Sequence, residues 1–569
     1  MKALPLSFIL AFSAALTLTG IDWGLPSAQR SALYYTDPAS EAAGNPGSPA
    51  LRSYHPDEHK FLMAIANMEP GELDFNPRFF IYPTLQIYLT AAVLKAASLA
   101  GVVELVGEKA YYFAEPDMMG RIYLAGRLLT AAFAVGCVFM TYLAGARAFS
   151  ERVGVTAALF LAVMPGFVVN SHYMSVDVPA TFWVTVTLYA ALRLYGSPET
   201  RWYLLGGAGA GLAASTKYYA VLAVASLFTA HGAGGGGRRK GLREALCDRR
   251  LLLCCLAAFC AFALTSPYVF LSFGEFLREG VMIWVDAIFL GNAVTGETRL
   301  FAMDNGNAYL DYLGSALPVG MGAGLLAAAL AGLGYALYRR TGADKALLGW
   351  AVPYIVIMGL ASARHVRYTV PLLPVLAIFS ARLFHRLLEL RRSAPWRYGL
   401  TALGAAAVFW SGAASTANVA VMAGEDNRDA AARWIADHAG DRPLTVAVAW
   451  EPDFYTPPLD RKRFRIEAVS PLDRGLDRAA LERSRPELIV LSEFEYRQYI
   501  RLKSRYPVEG EFFARAVSGR LVLGGDRYEP VWFDNVPRVM GLAADGSFPP
   551  HDWLYTHPRI VVLKRRGSP

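Results

Sequence analysis

Charged residues are scarce in this sequence. Asp, Glu, Lys and Arg together make up 18% of the 569 residues, whereas hydrophobic residues make up 54% and the mean hydropathy is +0.30. A soluble protein ordinarily carries charge on about a quarter of its residues. The composition therefore excludes an ordinary soluble enzyme and favours a helical protein that crosses a membrane many times.

Cysteine is scarce as well, and none of the five cysteines has the spacing of a zinc site or lies in the C-terminal third. A disulfide framework and a thiolate-bound structural metal are therefore not expected. The net charge of +8 is modest for this length, so it does not indicate a nucleic-acid partner. In a membrane protein, excess Lys and Arg collect in cytoplasmic loops.

Long apolar runs divide the first 424 residues. A helical span needs about 20 apolar residues to cross a bilayer, and eleven runs approach that length. The first run resembles a secretory signal, but its basic region is only Lys2 and no clean cleavage site follows, so we interpret it as a retained span. The predicted spans are 3–19, 122–145, 154–170, 178–194, 202–215, 217–230, 251–271, 313–337, 346–362, 366–384 and 398–421.

The connections between these runs alternate in charge. One set is rich in arginine, as in the glycine-rich basic loop 232–241, and the other set is acidic or neutral, as in 272–311. The positive-inside rule places the first set, and the N-terminus, in the cytoplasm. Segment 82–106 is apolar but contains Lys95, and counting it as a span would invert every later loop. We therefore predict an interfacial helix there, within a first outside loop that runs from 20 to 121.

The character of the sequence changes near Glu425, where helix and strand patterns begin to alternate. We predict a soluble extracytoplasmic α/β domain over 425–569, following a transmembrane domain over 1–424. The predicted fold class is mainly α: a polytopic transmembrane helical bundle of about eleven spans with a C-terminal periplasmic α/β domain.

The stretch YHPDEHKF (54–61) concentrates titratable side chains in the first outside loop. A carboxylate there can take a proton from a hydroxyl acceptor, and guanidinium groups can bind phosphate oxygens and stabilise a departing anion. The alternatives are that Asp57 and Glu58 are solvated surface, or that His55 and His59 begin a metal site, so a divalent metal is left open. The polar residues that the topology brings to the outer face are Asp57, Glu58, Arg78, Arg127, His172, Asp177, Lys217, Arg364, His365 and Arg367.

Several of these residues also have an ordinary structural explanation. The segment SARHVR, which contains Arg364 and Arg367, can anchor a span by reaching the lipid headgroups. Lys217 can neutralise a cluster of backbone carbonyls. Asp177 precedes Pro179 at the mouth of a span, so it can cap the following helix.

The order of motifs resembles the polytopic glycosyltransferases of the GT-C fold, in particular the superfamily of protein O-mannosyltransferases and lipid A aminoarabinose transferases (glycosyltransferase family 39-like). The acidic pair precedes a Pro-Leu interfacial helix, YPTLQIYL, and an arginine-led span, GRLLTAAFAVGCVFMTYLAGARAF. SHYMSVDVP, GLAASTKYYAVL and RHVRYTVPLLPVLAI complete the series. The resemblance covers about residues 1–420.

This resemblance implies transfer of one sugar from a polyprenyl-phosphate carrier to a hydroxyl acceptor (lipid, glycan or protein), with inversion, at the periplasmic face of a bacterial inner membrane. It implies that Asp57 is the base that activates the acceptor and that Glu58 orients acceptor or donor. Arg127 would bind the carrier phosphate or brace the acidic pair. The other residues implied as substrate contacts are Arg78, Tyr82, His172, Asp177, Lys217, Arg364 and Arg367.

The sequence departs from the family pattern at three positions. Thr84 stands for the second proline of the interfacial helix, Ile87 for a following lysine, and His172 for an arginine. These changes affect the expected contacts to the donor phosphate, for which Arg78 is a candidate replacement. Two alternative functions are a lipid-linked oligosaccharide polymerase or ligase, and a glycolipid transporter or flippase. Transport favours two related halves with broken helices, and the sequence has no such repeat.

Overall fold

Helices form most of the chain in the computed structural model, which describes residues 4–45, 47–234, 248–282, 285, 307–360, 364–390, 393–439, 443–448, 454–468, 477–546 and 549–566. Most of the basic loop 232–241, together with the acidic residues Glu297 and Asp304, lies outside these ranges. The helices at the predicted span positions are Leu4–Leu18, Pro116–Ala148, Glu151–Ala162 with Pro165–Asn170, Asp177–Gly196, Thr200–Ala214, Tyr218–Ala223 with Val224–Gly234, Arg249–Thr265, Leu317–Met321 with Ala323–Arg339, Gly342–Met358, Leu373–Leu390 and Ala394–Met422.

Few of these helices are long enough to cross a bilayer alone. Among the described residues, three helical stretches are long and apolar enough to cross a bilayer: Pro116–Ala148, Val366–Leu390 and Ala394–Ala439. The helices Ala308–Met321 and Ala323–Arg339 meet at a bend of 118° and would add a fourth if together they form one span. Helix length therefore supports three or four spans rather than the predicted eleven. Breaks explain part of the shortfall, since Pro165 starts a new helix where the third predicted span was expected to continue.

The predicted first outside loop folds into short helices. They are Ala28–Ser31, Pro38–Gly44, Pro49–Leu51, Glu58–Ala66, Pro70–Glu72, Leu85–Leu99 and Lys109–Ala114. Helix Leu85–Leu99 has 15 residues, which gives a length of about 22 Å, shorter than the bilayer core of about 30 Å. Since the helix Leu4–Leu18 at the first predicted span also has 15 residues, length does not distinguish the two, and the interfacial position of Leu85–Leu99 stays a prediction.

The C-terminal region is built around one mixed sheet of six strands. The strands described in this region are β1 (Leu444–Val448), β2 (Phe464–Ala468), β3 (Leu488–Ser492), β4 (Val522–Leu523), β5 (Asp526–Phe533), β6 (Arg538–Val539), β7 (Leu542–Ala543) and β8 (Ile560–Arg565). The sheet order is β2-β1-β3-β8-β5-β4, and β6 pairs with β7 separately. Strands β1, β2 and β3 are parallel, whereas β8 is antiparallel to both β3 and β5. Helices Asn427–Ala439, Arg478–Ser484, Glu493–Arg501 and Pro507–Val517 accompany the sheet.

Part of the C-terminal region packs into the core of the helical bundle. A short 3₁₀ segment, His551–Thr556, carries the buried residues Trp553, Leu554 and Tyr555, which join the same hydrophobic cluster as the bundle helices. The buried Arg428 side chain donates hydrogen bonds to the carbonyl oxygens of Phe454 and Tyr555. These contacts place segment 551–556 next to the acidic pair of the first loop.

Candidate functional site

The stretch YHPDEHKF is anchored at its first residue. The Tyr54 ring packs against Gly24. A Cβ atom added to Gly24 would lie 2.9 Å from the Tyr54 Cβ, so there is no room for a side chain, and the φ of +60° at Gly24 also favours glycine. The Arg428 guanidinium lies 3.7 Å above the Tyr54 ring, and the Tyr54 hydroxyl donates to Asp429. The C-terminal region therefore holds the start of the motif.

Asp57 stands immediately before helix Glu58–Ala66, and in the described structure its side chain does not cap that helix. Its carboxylate instead accepts hydrogen bonds from Lys60 Nζ at 2.6 Å and from the Arg367 guanidinium. Only 7% of Asp57 is exposed. Burial alone would raise the pKa of Asp57, but the charges of Arg367 and Lys60 hold it well below its usual range. The carboxylate is therefore ionised and bound to two cations.

Glu58 has a different role from its neighbour. Its carboxylate accepts hydrogen bonds from Arg127 Nε at 2.8 Å, from Arg127 Nη2 at 2.7 Å and from the Met174 N–H at 2.7 Å. Arg127 Nη1 donates to the carbonyl oxygens of Ile21 and Trp23, at 2.7 Å each. Both charged side chains are fully buried. This pair joins the first loop to the helix Pro116–Ala148 and uses every nitrogen of Arg127, so the bracing role fits this residue.

A second buried ion pair lies beside Asp57. Asp177 begins the helix Asp177–Gly196, but its carboxylate accepts a hydrogen bond from Lys217 Nζ at 2.5 Å instead of capping that helix. Lys217 Nζ also lies 5.3 Å from the centre of the Tyr368 ring. The Arg367 guanidinium lies 5.8 Å from the centre of the same ring, so the two ion pairs are neighbours.

Tyr82 completes this group. Burial raises the pKa of its phenol well above the ordinary value, and the charges of Asp57, Arg367 and Asp177 all act on it. The phenol is therefore neutral and can donate a hydrogen bond. We define Asp57, Arg367, Lys217, Asp177 and Tyr82 as the charged cluster.

Three of the other predicted contacts lie apart from the charged cluster. Arg78 is half-exposed and pairs with Asp74 at 2.5 Å. Arg364 pairs with Asp311. The buried His172 ring faces the carbonyl oxygens of Val168 at 2.8 Å and Thr19 at 3.0 Å. The Arg78 guanidinium binds Asp74 and the carbonyl oxygen of Asn67, so its contact with a donor phosphate stays a prediction.

The histidines of the motif lie against protein rather than solvent. The His55 ring lies 4.3 Å from the Tyr173 ring, centre to centre, and its Nδ1 accepts the Asp57 N–H at 3.3 Å. Burial lowers the pKa of His55 to about 4, and that of His59 also to about 4, so both rings are neutral at physiological pH. Within the described ranges, no group of three His, Cys, Asp or Glu side chains is arranged to hold a metal ion.

Asp552 is a residue of this site that the sequence did not indicate. Its carboxylate accepts the Val366 N–H and the Arg367 N–H, both at 3.0 Å, and it lies 3.6 Å from the His365 ring nitrogen Nδ1. The charge of His365, after the opposing effect of burial, lowers the pKa of Asp552. Asp552 therefore fixes the turn that presents Arg367 to Asp57. No spacing signal links residues 186 positions apart, which is why sequence reasoning missed it.

Comparisons with known proteins agree with this architecture. Residues 117–269 match the family model described as dolichyl-phosphate-mannose-protein mannosyltransferase. The oligosaccharyltransferase of Archaeoglobus fulgidus, in its complex with zinc and sulfate, is similar in structure, with a TM-score of 0.50, 15% identity, and coverage of 89% of this chain and 71% of that one. ArnT from Cupriavidus metallidurans, bound to undecaprenyl phosphate, aligns over 98% of this chain and 97% of its own, with 13% identity and a TM-score of 0.47. No curated protein sequence matches the chain significantly.

Proposed function

We propose that this membrane glycosyltransferase of the GT-C fold transfers a single sugar from a polyprenyl-phosphate carrier to a hydroxyl acceptor, with Asp57 as the general base. The observation that carries this proposal is the Asp57 carboxylate bound to Arg367 beside the Asp177–Lys217 pair. A proton acceptor and two cations that can bind phosphate then lie within one buried site. This is the combination that displacement of a phosphate leaving group requires.

The proposed reaction breaks one bond and forms one. The acceptor hydroxyl oxygen attacks the anomeric carbon on the face opposite the phosphate, while the bond from that carbon to the phosphate oxygen breaks. Asp57 takes the hydroxyl proton, and the bonding pair leaves on the polyprenyl phosphate. Arg367 and Lys217 stabilise the charge that develops on the leaving phosphate. Attack from the opposite face inverts the configuration of the anomeric carbon.

Arg367 is suited to exchange between Asp57 and a phosphate. Its Nη1 binds Asp57, whereas its Nε–H is buried and has no hydrogen-bond partner within the described structure. A carboxylate bound to two cations is a weak base, because its pKa is low. When the donor phosphate takes the guanidinium, burial raises the pKa of Asp57 and makes it a better base. Donor binding would thus activate Asp57 before the acceptor is deprotonated.

The proposal includes the orientation of the chain. Eleven spans with the arginine-rich connections in the cytoplasm would place the charged cluster and the C-terminal sheet at the outer face, which is the periplasm for a bacterial inner membrane. Short and broken helices can contribute to such a bundle where their polar backbone groups are buried in protein. The membrane part of the proposal is tested by attaching a membrane-impermeant reagent to single cysteines at Glu425 and at Arg339. Only the Glu425 position should react from the outside.

The proposed reaction is tested with the purified full-length chain in liposomes. We expect transfer of sugar from a polyprenyl-phosphate monosaccharide to a hydroxyl acceptor, measured as released polyprenyl phosphate together with glycosylated product. A panel of acceptors is needed, comprising a lipid, a glycan and a serine-containing peptide. Movement of the intact donor across the bilayer without sugar release would support a flippase and contradict the proposal.

The second candidate is an oligosaccharide polymerase or ligase. The similarity in fold to an oligosaccharyltransferase favours retaining it. It predicts that a pyrophosphate-linked oligosaccharide is consumed in the same liposomes and that a monosaccharide on a single phosphate is not.

A further inference from the structure

The strands β6 and β7 form a small hairpin with an unusual tip. Val539 pairs with Leu542, so the loop consists of Met540 and Gly541, whose φ angles are +51° and +83°. Two-residue loops with two positive φ angles ordinarily carry Asn-Gly or Asp-Gly, because a larger side chain is strained in that region. Met540 occupies the strained position and is 86% exposed. The strain is therefore not offset by packing of the methionine within this chain.

The exposed side of the hairpin is apolar. Leu542 is 64% exposed beside Met540, whereas its cross-strand partner Val539 is 5% exposed. Exposed apolar side chains that lie together indicate a surface that contacts a protein or a lipid. We call Met540, Gly541 and Leu542 the hairpin tip.

The hairpin lies beside a membrane helix rather than above it. Strand β6 packs against the helix Ala394–Met422, one of the stretches long and apolar enough to cross a bilayer. Ala543 and Ala544 line a cavity of 670 Å³ together with Trp410 of that helix. Trp410 precedes the helix end at Met422 by 12 residues, which corresponds to about 18 Å along the axis. The hairpin therefore lies beside the C-terminal half of this helix.

We propose that the hairpin tip inserts into the acyl region of the outer leaflet and anchors the C-terminal sheet to the membrane. The occupant is lipid because strand β6, which leads into the apolar tip, packs on a helix that is long and apolar enough to span a bilayer. Arg538 is exposed beside the tip, and its guanidinium donates a hydrogen bond to the carbonyl oxygen of Gly541 at 3.3 Å. Its long side chain can turn from there to headgroup phosphates while Met540 and Leu542 enter the apolar layer. This inference requires membrane insertion of the bundle but is independent of the proposed sugar transfer.

The test places a single fluorescent label at the tip. The five cysteines are replaced in the full-length chain, a cysteine is introduced by Met540→Cys, and the labelled protein is reconstituted in phosphatidylcholine nanodiscs. The matched control is Val522→Cys, a 50% exposed apolar position on strand β4 at the edge of the six-stranded sheet. Leu542→Cys provides a second tip position if the first variant folds poorly.

We expect lipids with a nitroxide on the acyl chain to quench the Met540 label several-fold more strongly than the Val522 label. Aqueous iodide should quench the two labels in the opposite order. Equal quenching of both labels by iodide would place the tip in water and overturn the inference. A tip label protected from both quenchers would indicate a protein partner, such as a second copy of this chain, and would overturn it as well.

Discussion

The buried pair of Glu58 and Arg127 gives a strong prediction for stability. In the variant Glu58→Gln, the side chain keeps its size but loses its charge, which leaves Arg127 as a buried cation held only by two backbone carbonyls and a neutral amide. Removing one partner of a fully buried ion pair costs about 3–5 kcal/mol, because the remaining charge is desolvated without compensation. We therefore expect a free energy of unfolding lower by about that amount.

The assay is chemical and thermal unfolding in detergent micelles, followed by intrinsic fluorescence. Glu511→Gln is the control, since Glu511 pairs with Lys503 and Arg515 on the surface with 42% of its side chain exposed. That variant should unfold like the wild type. The double variant Glu58→Met with Arg127→Met should be more stable than Glu58→Gln alone, because it buries no charge. Wild-type unfolding of Glu58→Gln would refute the assignment of this pair as a structural clamp.

Three further predictions follow from the site and the sheet. Asp552→Asn should lower transfer about tenfold or more, since one carboxylate oxygen that fixes the Arg367 turn is replaced by an amide donor; unchanged turnover would contradict its positioning role. Arg367→Lys should raise the KM for the lipid-linked donor because lysine cannot bind phosphate with two donors, whereas Arg364→Lys, which alters a pair with Asp311, should leave that KM unchanged. Burial raises the pKa of Glu495 to about 8, so folding retains a proton that the unfolded chain releases. The contribution of Glu495 to the free energy of unfolding should be fully present below about pH 4.5, fall by about 1.4 kcal/mol per pH unit as the pH rises, and be lost above pH 8. The variant Glu495→Gln should abolish this dependence, as measured by unfolding midpoints between pH 6 and 9.

Much of the fold could be predicted from hydrophobic runs and charge alternation. The runs gave a helix at each predicted span position, because an apolar stretch in a membrane protein must satisfy its own backbone hydrogen bonds. They could not give the helix lengths. The positions where helices break or bend depend on packing against neighbouring helices, and a short window of sequence does not contain those neighbours. Examples are the break at Pro165 and the 118° bend between Ala308–Met321 and Ala323–Arg339.

The candidate site was accessible to sequence reasoning only in part. Charge alternation could bring Asp57, Asp177 and Arg367 to one face, because it fixes which helix ends meet. It could not assign their partners: Arg127 donates to Glu58 and to the carbonyl oxygens of Ile21 and Trp23. Lys217 donates to Asp177. Asp552 acts from the opposite end of the chain, so that its role depends on how the sheet docks on the bundle.

The measurement that tests the central claim most directly is sugar transfer by Asp57→Asn. This variant keeps the size of the side chain and one of the two oxygens that accept hydrogen bonds from Lys60 and Arg367, but it removes the proton acceptor. We predict folded protein that binds the polyprenyl-phosphate sugar in liposomes and forms glycosylated product at a rate reduced by at least about 100-fold, within the range known for loss of a general base. Transfer at the wild-type rate by the folded variant would contradict the assignment of Asp57 as the base.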